Sequence, residues 1–276
     1  MTNLADWIGR ATESTCWMDP WRARAMHATL DSAEPVPEEG AALAPGWQWA
    51  YFLETAASSE LGPDGHPRRG DFMPPVQLPR RMWAGSRLEF LSPLVLGQSA
   101  RRVSRILAVE KKSGRSGHLC FVTVEHEIYG QSGVAIREQQ DIVYREASTS
   151  GAPPMQAAPD DAELRREWSF DAPRLFRYSA LTFNSHRIHY DRAYATEEEG
   201  YPGLVVHGPL LATLMLELVR AHQPHRALRR FEFRAVAPVF DGQRIEACGR
   251  PDGDRIEVWI RGVAGSLHQR GSVLLG

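Results

Sequence analysis

The chain has 276 residues, 43% of them hydrophobic and 24% charged, with a formal net charge of -2. That length carries one large domain or two of ordinary size, and the apolar share is enough for a buried core. The near-neutral balance removes any bulk electrostatic reason to expect nucleic acid or an anionic membrane as a partner.

The N-terminus, MTNLADWIGRATEST, lacks the basic and apolar regions of a signal peptide, and no apolar run reaches the roughly 18–20 residues that cross a bilayer. Cys16, Cys120 and Cys248 are odd in number, far apart and without CxxC pairing, so they read as three reduced thiols. The expectation is a cytoplasmic protein. Helical stretches are expected near residues 5–11 and 21–30. From residue 87 the chain turns strand-like: RLEFL, then SARRVSRILAVEKK, HLCFVTVEHEIYG and GVAIREQQDIVYRE, broken by KSGRSG and GQSG turns. This is the pattern of an antiparallel meander.

REASTSGAPPMQAAPDDAE, at residues 145–163, has no hydrophobic period and reads as a linker. LFRYSAL follows as a strand-like segment, and TFNSHRIHYD after it is too polar for a core strand and reads as a loop or short helical turn. Residues 209–221 form the best helix, with Leu210, Leu211, Leu214, Met215, Leu218 and Val219 at helical spacing. Pro209 suits its first turn and Pro224 prevents its extension. A shorter meander follows in FEFRAVAP, QRIEACGRP, DRIEVWIRGVAG and SLHQRGSVLLG. Its opening matches the first half at a constant offset of 145: Pro93 with Pro238, Gly97 with Gly242, Gln98 with Gln243. The match suggests a duplicated unit of ordinary domain size.

A long apolar helix wrapped by an antiparallel sheet is a hot-dog architecture. The expected fold is therefore α+β, a double hot-dog of two tandem antiparallel sheets, with the helix of the first half degenerate. The expected boundaries are 1–147 for the first hot-dog domain, 148–163 for the linker and 164–276 for the second.

Chemistry concentrates in LTFNSHRIHYDRAYA, where Asn184, His186, Arg187, His189 and Asp191 fall within eight positions, and in VVHGPLLATL after it. The plainest account has the histidines satisfying backbone carbonyls and Asp191 capping a turn. A metal site would draw on His186, His189, His207 and Asp191, but no HExxH-like spacing supports it. A nucleophile at Ser179 or Ser185 lacks a GxSxG elbow. General acid/base chemistry on a carbonyl compound fits better: an imidazole moves a proton, and the helix start at His207 and Gly208 favours a developing oxyanion.

SALTFNSHRIHYD together with GLVVHGPLLATL resembles the MaoC-like (R)-specific enoyl-CoA hydratase superfamily, and more closely its type 2 hydroxyacyl-thioester dehydratase branch. FMPPVQLPRRMWAG resembles the N-terminal half of two-domain members. The general motif Ser-Gly-Asp-x-Asn-Pro-(Leu/Ile)-His falls without a gap on residues 182–189, its serine on Thr182, its catalytic aspartate on Asn184, its asparagine on His186, its proline on Arg187 and its histidine on His189. His207 and Gly208 match the helix start that supplies the oxyanion-hole amide. The resemblance implies His189, Asn184, Gly208 and His186 in catalysis, with Arg187, His207, Asp191 and Thr182 at the substrate, and no metal or cofactor. Asn184 is a departure, because an amide orients water but cannot act as its base. His189 must then move the proton, with His186 or Asp191 as a possible second group.

The branch includes hydratases that take mesaconyl-C4-CoA or itaconyl-CoA to citramalyl-CoA in itaconate degradation. The implied activity is reversible hydration of an enoyl-CoA thioester by a homodimer, on a short dicarboxylic acyl group whose free carboxylate wants an arginine: Arg187, Arg80, Arg81 or Arg177. Arg101–Arg102 or Arg229–Arg230 are candidates for the CoA phosphates. The alternatives are a 3-hydroxyacyl-ACP or -CoA dehydratase of fatty-acid metabolism, a non-catalytic acyl-CoA-binding hot-dog protein, and a thioesterase.

Overall fold

A computed structural model describes residues 3–114, 117–146 and 155–276. Ten antiparallel strands build it. The first half supplies β1 (Ala11–Trp17), β2 (Arg80–Phe90), β3 (Ser99–Gly114), β4 (Gly117–Gly130) and β5 (Gly133–Arg145). The second supplies β6 (Leu164–Ser169), β7 (Leu228–Ala235), β8 (Arg244–Asp252), β9 (Arg255–Gly262) and β10 (Leu267–Leu275). Their order is β1-β3-β4-β5-β2-β7-β10-β9-β8-β6. Strand n of one half therefore mirrors strand n+5 of the other about the β2–β7 pair.

Two tandem sheets were expected, and the structure joins them into one. Residues Gly85 to Glu89 pair with Arg234 to Arg230, so backbone hydrogen bonds that would face water at two sheet edges are satisfied across the junction. Gly85 permits that approach: a Cβ there would lie 2.2 Å from the Phe233 carbonyl oxygen. The turns matched in sequence are also matched in backbone, with Gly97 at φ 80° and Gly242 at φ 77°, each just before β3 or β8.

Three α-helices lie on the sheet: α1 (Pro20–Leu30), α2 (Ala172–Thr182) and α3 (Gly208–His222). Every residue of α3 from Leu210 to Val219 is buried, in one apolar core that includes Leu88, Leu94 and Ile136 of the first half. Among the described residues, the first half has no such helix. The long connection at residues 31–79 holds only short 3-10 turns at Trp47–Ala50 and Ser58–Glu60.

Two local expectations are corrected. LFRYSAL is not a strand but the body of α2: the Asp171 side chain caps the helix by accepting from Arg174 N, a proline occupies the first turn, and Leu175, Tyr178 and Ser179 bury one face. Residues 5–11 are not a helix. Only Leu4–Trp7 makes a 3-10 turn, after which Gly9 at φ 85° redirects the chain into β1. The expected linker lies partly outside the described residues. Among the described residues, no helix is long and apolar enough to cross a membrane.

Candidate active site

The site grows from the end of α2. Phe183 stops the helix in the left-handed region at φ 49°, and Asn184 N bonds back to the Ser179 carbonyl at 2.8 Å. Thr182 Oγ1 is spent on the Tyr178 carbonyl. Asn184 Oδ1 accepts from His186 N at 3.0 Å, an Asx turn that launches the 3-10 turn Arg187–His189. That turn brings the rings of His186 and His189 edge to face, 5.5 Å apart.

His189 is buried, and its Nδ1 lies 2.7 Å from the Val205 carbonyl oxygen. A carbonyl only accepts, so Nδ1 carries the hydrogen and Nε2 keeps its lone pair. The His207 ring stacks on His189 with centroids 3.6 Å apart, and its Nε2 meets Ser179 Oγ at 2.8 Å. His207 Nδ1 is buried without a partner among the described residues. Gly208 opens α3. No group among the described residues accepts from its N–H, and a Cβ there would meet nothing within 4 Å. Its amide, unpaired at the positive end of α3, is the kind of donor an oxyanion hole requires.

A second contribution comes from the first half. Asp64 Oδ2 lies 3.0 Å from His66 Nδ1, and Oδ1 accepts from His66 N at 3.1 Å. The His66 ring sits 4.1 Å from that of His186. Sequence reasoning missed both residues. The available signal was the long stretch before β2, punctuated as GPDGHPRRGD, since a loop of that length without regular elements is usually functional.

The electrostatics keep the four histidines neutral around pH 7. Burial pushes His189 down to about 4. Burial, then the neighbouring His66 and His189, push His186 down to about 2. His207 is held well below its ordinary range by burial and by the other two rings. Burial and the Arg81 charge lower His66 as well. For Asp64 burial acts upward, but the hydrogen bonds from His66 outweigh it and keep the carboxylate ionised.

Not every expected site residue converges. Asp191 accepts both Nε and Nη2 of Arg187, at 3.0 and 2.8 Å, and also Tyr194 N. Arg187 further donates to the Pro63 carbonyl and lies over the Tyr194 ring. Arg187 and Asp191 thus brace the loop, and neither they nor His186, His189, His207 and Gly208 are among the residues that line the adjoining cavity. That cavity, of about 580 Å³, is lined by His66, Ser179, Thr182 and Asn184, and by Arg81, Arg102, His126 and Glu138 of the first half's inner face. Glu138 accepts from Trp49, Ser86 and Gln140. Of the proposed arginines, Arg80 pairs with Glu199, Arg101 with Glu13 and Arg230 with Glu89, whereas Arg177 is exposed. Arg81 and Arg102 form no ion pair among the described residues.

Ligand atoms of Asp64, His66 and His186 lie within 4.8 Å of one another. The donor types would suit a divalent cation, but Asp64 and His66 already share a hydrogen bond.

The family model for hydroxyacyl-thioester dehydratase type 2 matches residues 46–241. The mesaconyl-C(4)-CoA hydratase of Chloroflexus aurantiacus is 47% identical over 272 residues, spanning 98% of this chain and 97% of its own. A solved MaoC-like dehydratase from Phytophthora capsici superposes over 100% of this chain and 99% of its own, with a TM-score of 0.72 at 12% identity. A Mycobacterium tuberculosis protein described as a double hotdog fold covers 98% of this chain and 96% of its own, with a TM-score of 0.58 at 12% identity. The fold is a double hot-dog.

Proposed function

The chain belongs to the hydroxyacyl-thioester dehydratase type 2 family, and on that premise we propose that it is a hydro-lyase catalysing reversible hydration of an enoyl-CoA thioester. The acyl group we assign is short, branched and dicarboxylic, mesaconyl-C4-CoA or itaconyl-CoA being taken to citramalyl-CoA in itaconate degradation. The observation that carries this reading is the 47% identity, over nearly the whole chain, to a mesaconyl-C(4)-CoA hydratase.

The geometry is compatible with the following steps. The thioester oxygen lies against the Gly208 amide, where the helix end stabilises an enolate. His189 Nε2 takes a proton from water as the water oxygen bonds to the β carbon, and the resulting imidazolium returns the proton to the α carbon. Run backwards, the same groups dehydrate a 3-hydroxyacyl thioester. Asn184 contributes no base, and its carbonyl oxygen is occupied by His186 N. His189→Ala is expected to lower kcat by roughly 10²- to 10⁴-fold, the usual worth of a general base. Near wild-type turnover by this variant would refute the assignment.

The substrate carboxylate needs a cation in the cavity. Arg81 is the candidate beside the histidines, since its charge acts on both His66 and His186. A second reading, a 3-hydroxyacyl-ACP or -CoA dehydratase, is favoured by the family's description. It demands activity on unbranched chains without a second carboxylate. We also propose a cytoplasmic homodimer: the three cysteines are unpaired, in keeping with a reducing compartment. Light scattering on the purified chain reads the dimer, and fractionation reads the compartment.

A further inference from the structure

The motif position that carries an aspartate in the general pattern is Asn184 here, and its oxygen is committed to a turn. A carboxylate reaches the site from elsewhere. Asp64 lies in a loop that the motif itself holds: Arg187 N donates to the Asp64 carbonyl at 2.9 Å, and Ser185 Oγ donates to the carbonyl of Gly65, 120 positions away. Gly65 sits at φ 87°, and a Cβ there would fall 2.0 Å from the Ser185 carbonyl oxygen, so the two loops touch where no side chain fits. His66, on the far side of that contact, is most of the way buried, lines the cavity with Asn184 and packs on His186.

We propose that the Asp64–His66 dyad is a second catalytic group of the hydratase site: His66 Nε2 holds one hydrogen of the water whose other proton passes to His189. The inference rests on the hydratase reading. The ionised Asp64 accepts from Nδ1, which fixes the Nδ1–H tautomer and leaves the Nε2 lone pair free. Two imidazoles, each with its Nδ1–H spent on an acceptor, then offer bare Nε2 atoms, one from each half of the molecule. Water bound between them keeps an oxygen lone pair for the β carbon. The O–H bond breaks toward His189 as the O–C bond forms. The π pair moves into the thioester as an enolate, and His189 returns the proton to the α carbon. The elements of water are added, and nothing is oxidised or reduced. In dehydration the departing hydroxyl becomes the water that His66 holds.

The test compares His66→Ala, His66→Gln and Asp64→Asn in the full chain, using whichever enoyl-CoA the wild type hydrates. Two rates are read: hydration, and α-hydrogen exchange into D2O for the saturated thioester of the same acyl group. Exchange needs His189 and Gly208 but no attacking water. His66→Ala is expected to lower hydration kcat by about 10²- to 10³-fold while KM and the exchange rate stay within about threefold. Asp64→Asn should lose about tenfold. His66→Gln, whose amide oxygen can still accept, should fall between them.

Hydration retained within about threefold in His66→Ala and His66→Gln would overturn the dyad, as would hydration and exchange falling together. So would hydration by the wild type that a chelator abolishes and a divalent cation restores, since Asp64 and His66 would then be metal ligands. A wild type that hydrates no enoyl-CoA fails at the earlier step and removes the hydratase reading together with the dyad.

Discussion

His189 has one nitrogen occupied by a carbonyl and the other bare, so its protonation state decides whether it can take a proton from water. With burial holding it at about 4, the free enzyme should keep kcat/KM constant from neutral pH down to about 5 and lose half of it near pH 4. Stability follows a different window. An unfolded histidine titrates near 6.5, whereas His186 and His189 are held at about 2 and about 4 and the half-buried His126, beside the Arg102 charge, at about 3. Between pH 6.5 and 4 the unfolded chain therefore binds more protons than the folded one. Stability should be flat above about pH 7 and fall steadily as pH drops below 6.5, by up to about 1.4 kcal/mol per unit for each such ring. Urea unfolding at pH 7.5 and 5.0 checks the sign: equal stability at both would contradict it. Arg81→Gln should cut kcat/KM for a dicarboxylic enoyl-CoA by about 10- to 100-fold, the worth of a charge-assisted hydrogen bond, and leave crotonyl-CoA unchanged. An equal loss on both substrates would place the carboxylate elsewhere. Asn184, His186, His189 and Gly208 stood out as candidates because they lie in two short motifs. Asp64 and His66 were not, because their meeting with His186 depends on long-range packing that no local period records. Arg187 has its partner Asp191 only four residues on, but only the folded turn shows that the pair is closed.

At the scale of elements, α3 serves both halves. Its Glu217 is buried and accepts from Trp47 Nε1 at 3.0 Å, from Ser32 Oγ at 3.2 Å and from Arg220 at 2.6 Å. Through Trp47 and Ser32 the helix of the second half fastens the long connection between α1 and β2 of the first half. Glu217→Ala leaves the buried Trp47 N–H without an acceptor and should cost about 1–3 kcal/mol, read as a lower urea midpoint with an unchanged m-value. A loss below about 0.5 kcal/mol would mean that apolar packing alone holds the segment. The α3 period was plain in sequence because its apolar face is nearly complete. The body of α2 was not, because seven residues of LFRYSAL alternate well enough to pass for a strand. Its identity rests on the Asp171 cap and the proline beside it, which lie outside that window.

Over the whole molecule, the 145-residue offset reappears as a sheet whose strand order is the same from either edge. The matched prolines and glycines mark equivalent β2–β3 and β7–β8 connections. What the offset did not reveal is that the halves share one sheet, since the β2–β7 pairing depends on a close approach at Gly85 rather than on a motif. We propose boundaries at 1–147 and 164–276. With β2 and β7 hydrogen-bonded and the core continuous, the two pieces expressed together should co-purify as one body, while either alone exposes the β2 or β7 edge and aggregates. Independent, soluble halves would contradict this. What the assembled cavity hydrates decides the function of the whole molecule. The direct measurement is the loss of enoyl-thioester absorbance with mesaconyl-C4-CoA and, in parallel, crotonyl-CoA, with a thiol reagent to detect released CoA. Rapid hydration of the dicarboxylic thioester, much slower hydration of crotonyl-CoA and no free thiol is the expected result. Activity on neither substrate, or release of thiol, would contradict it.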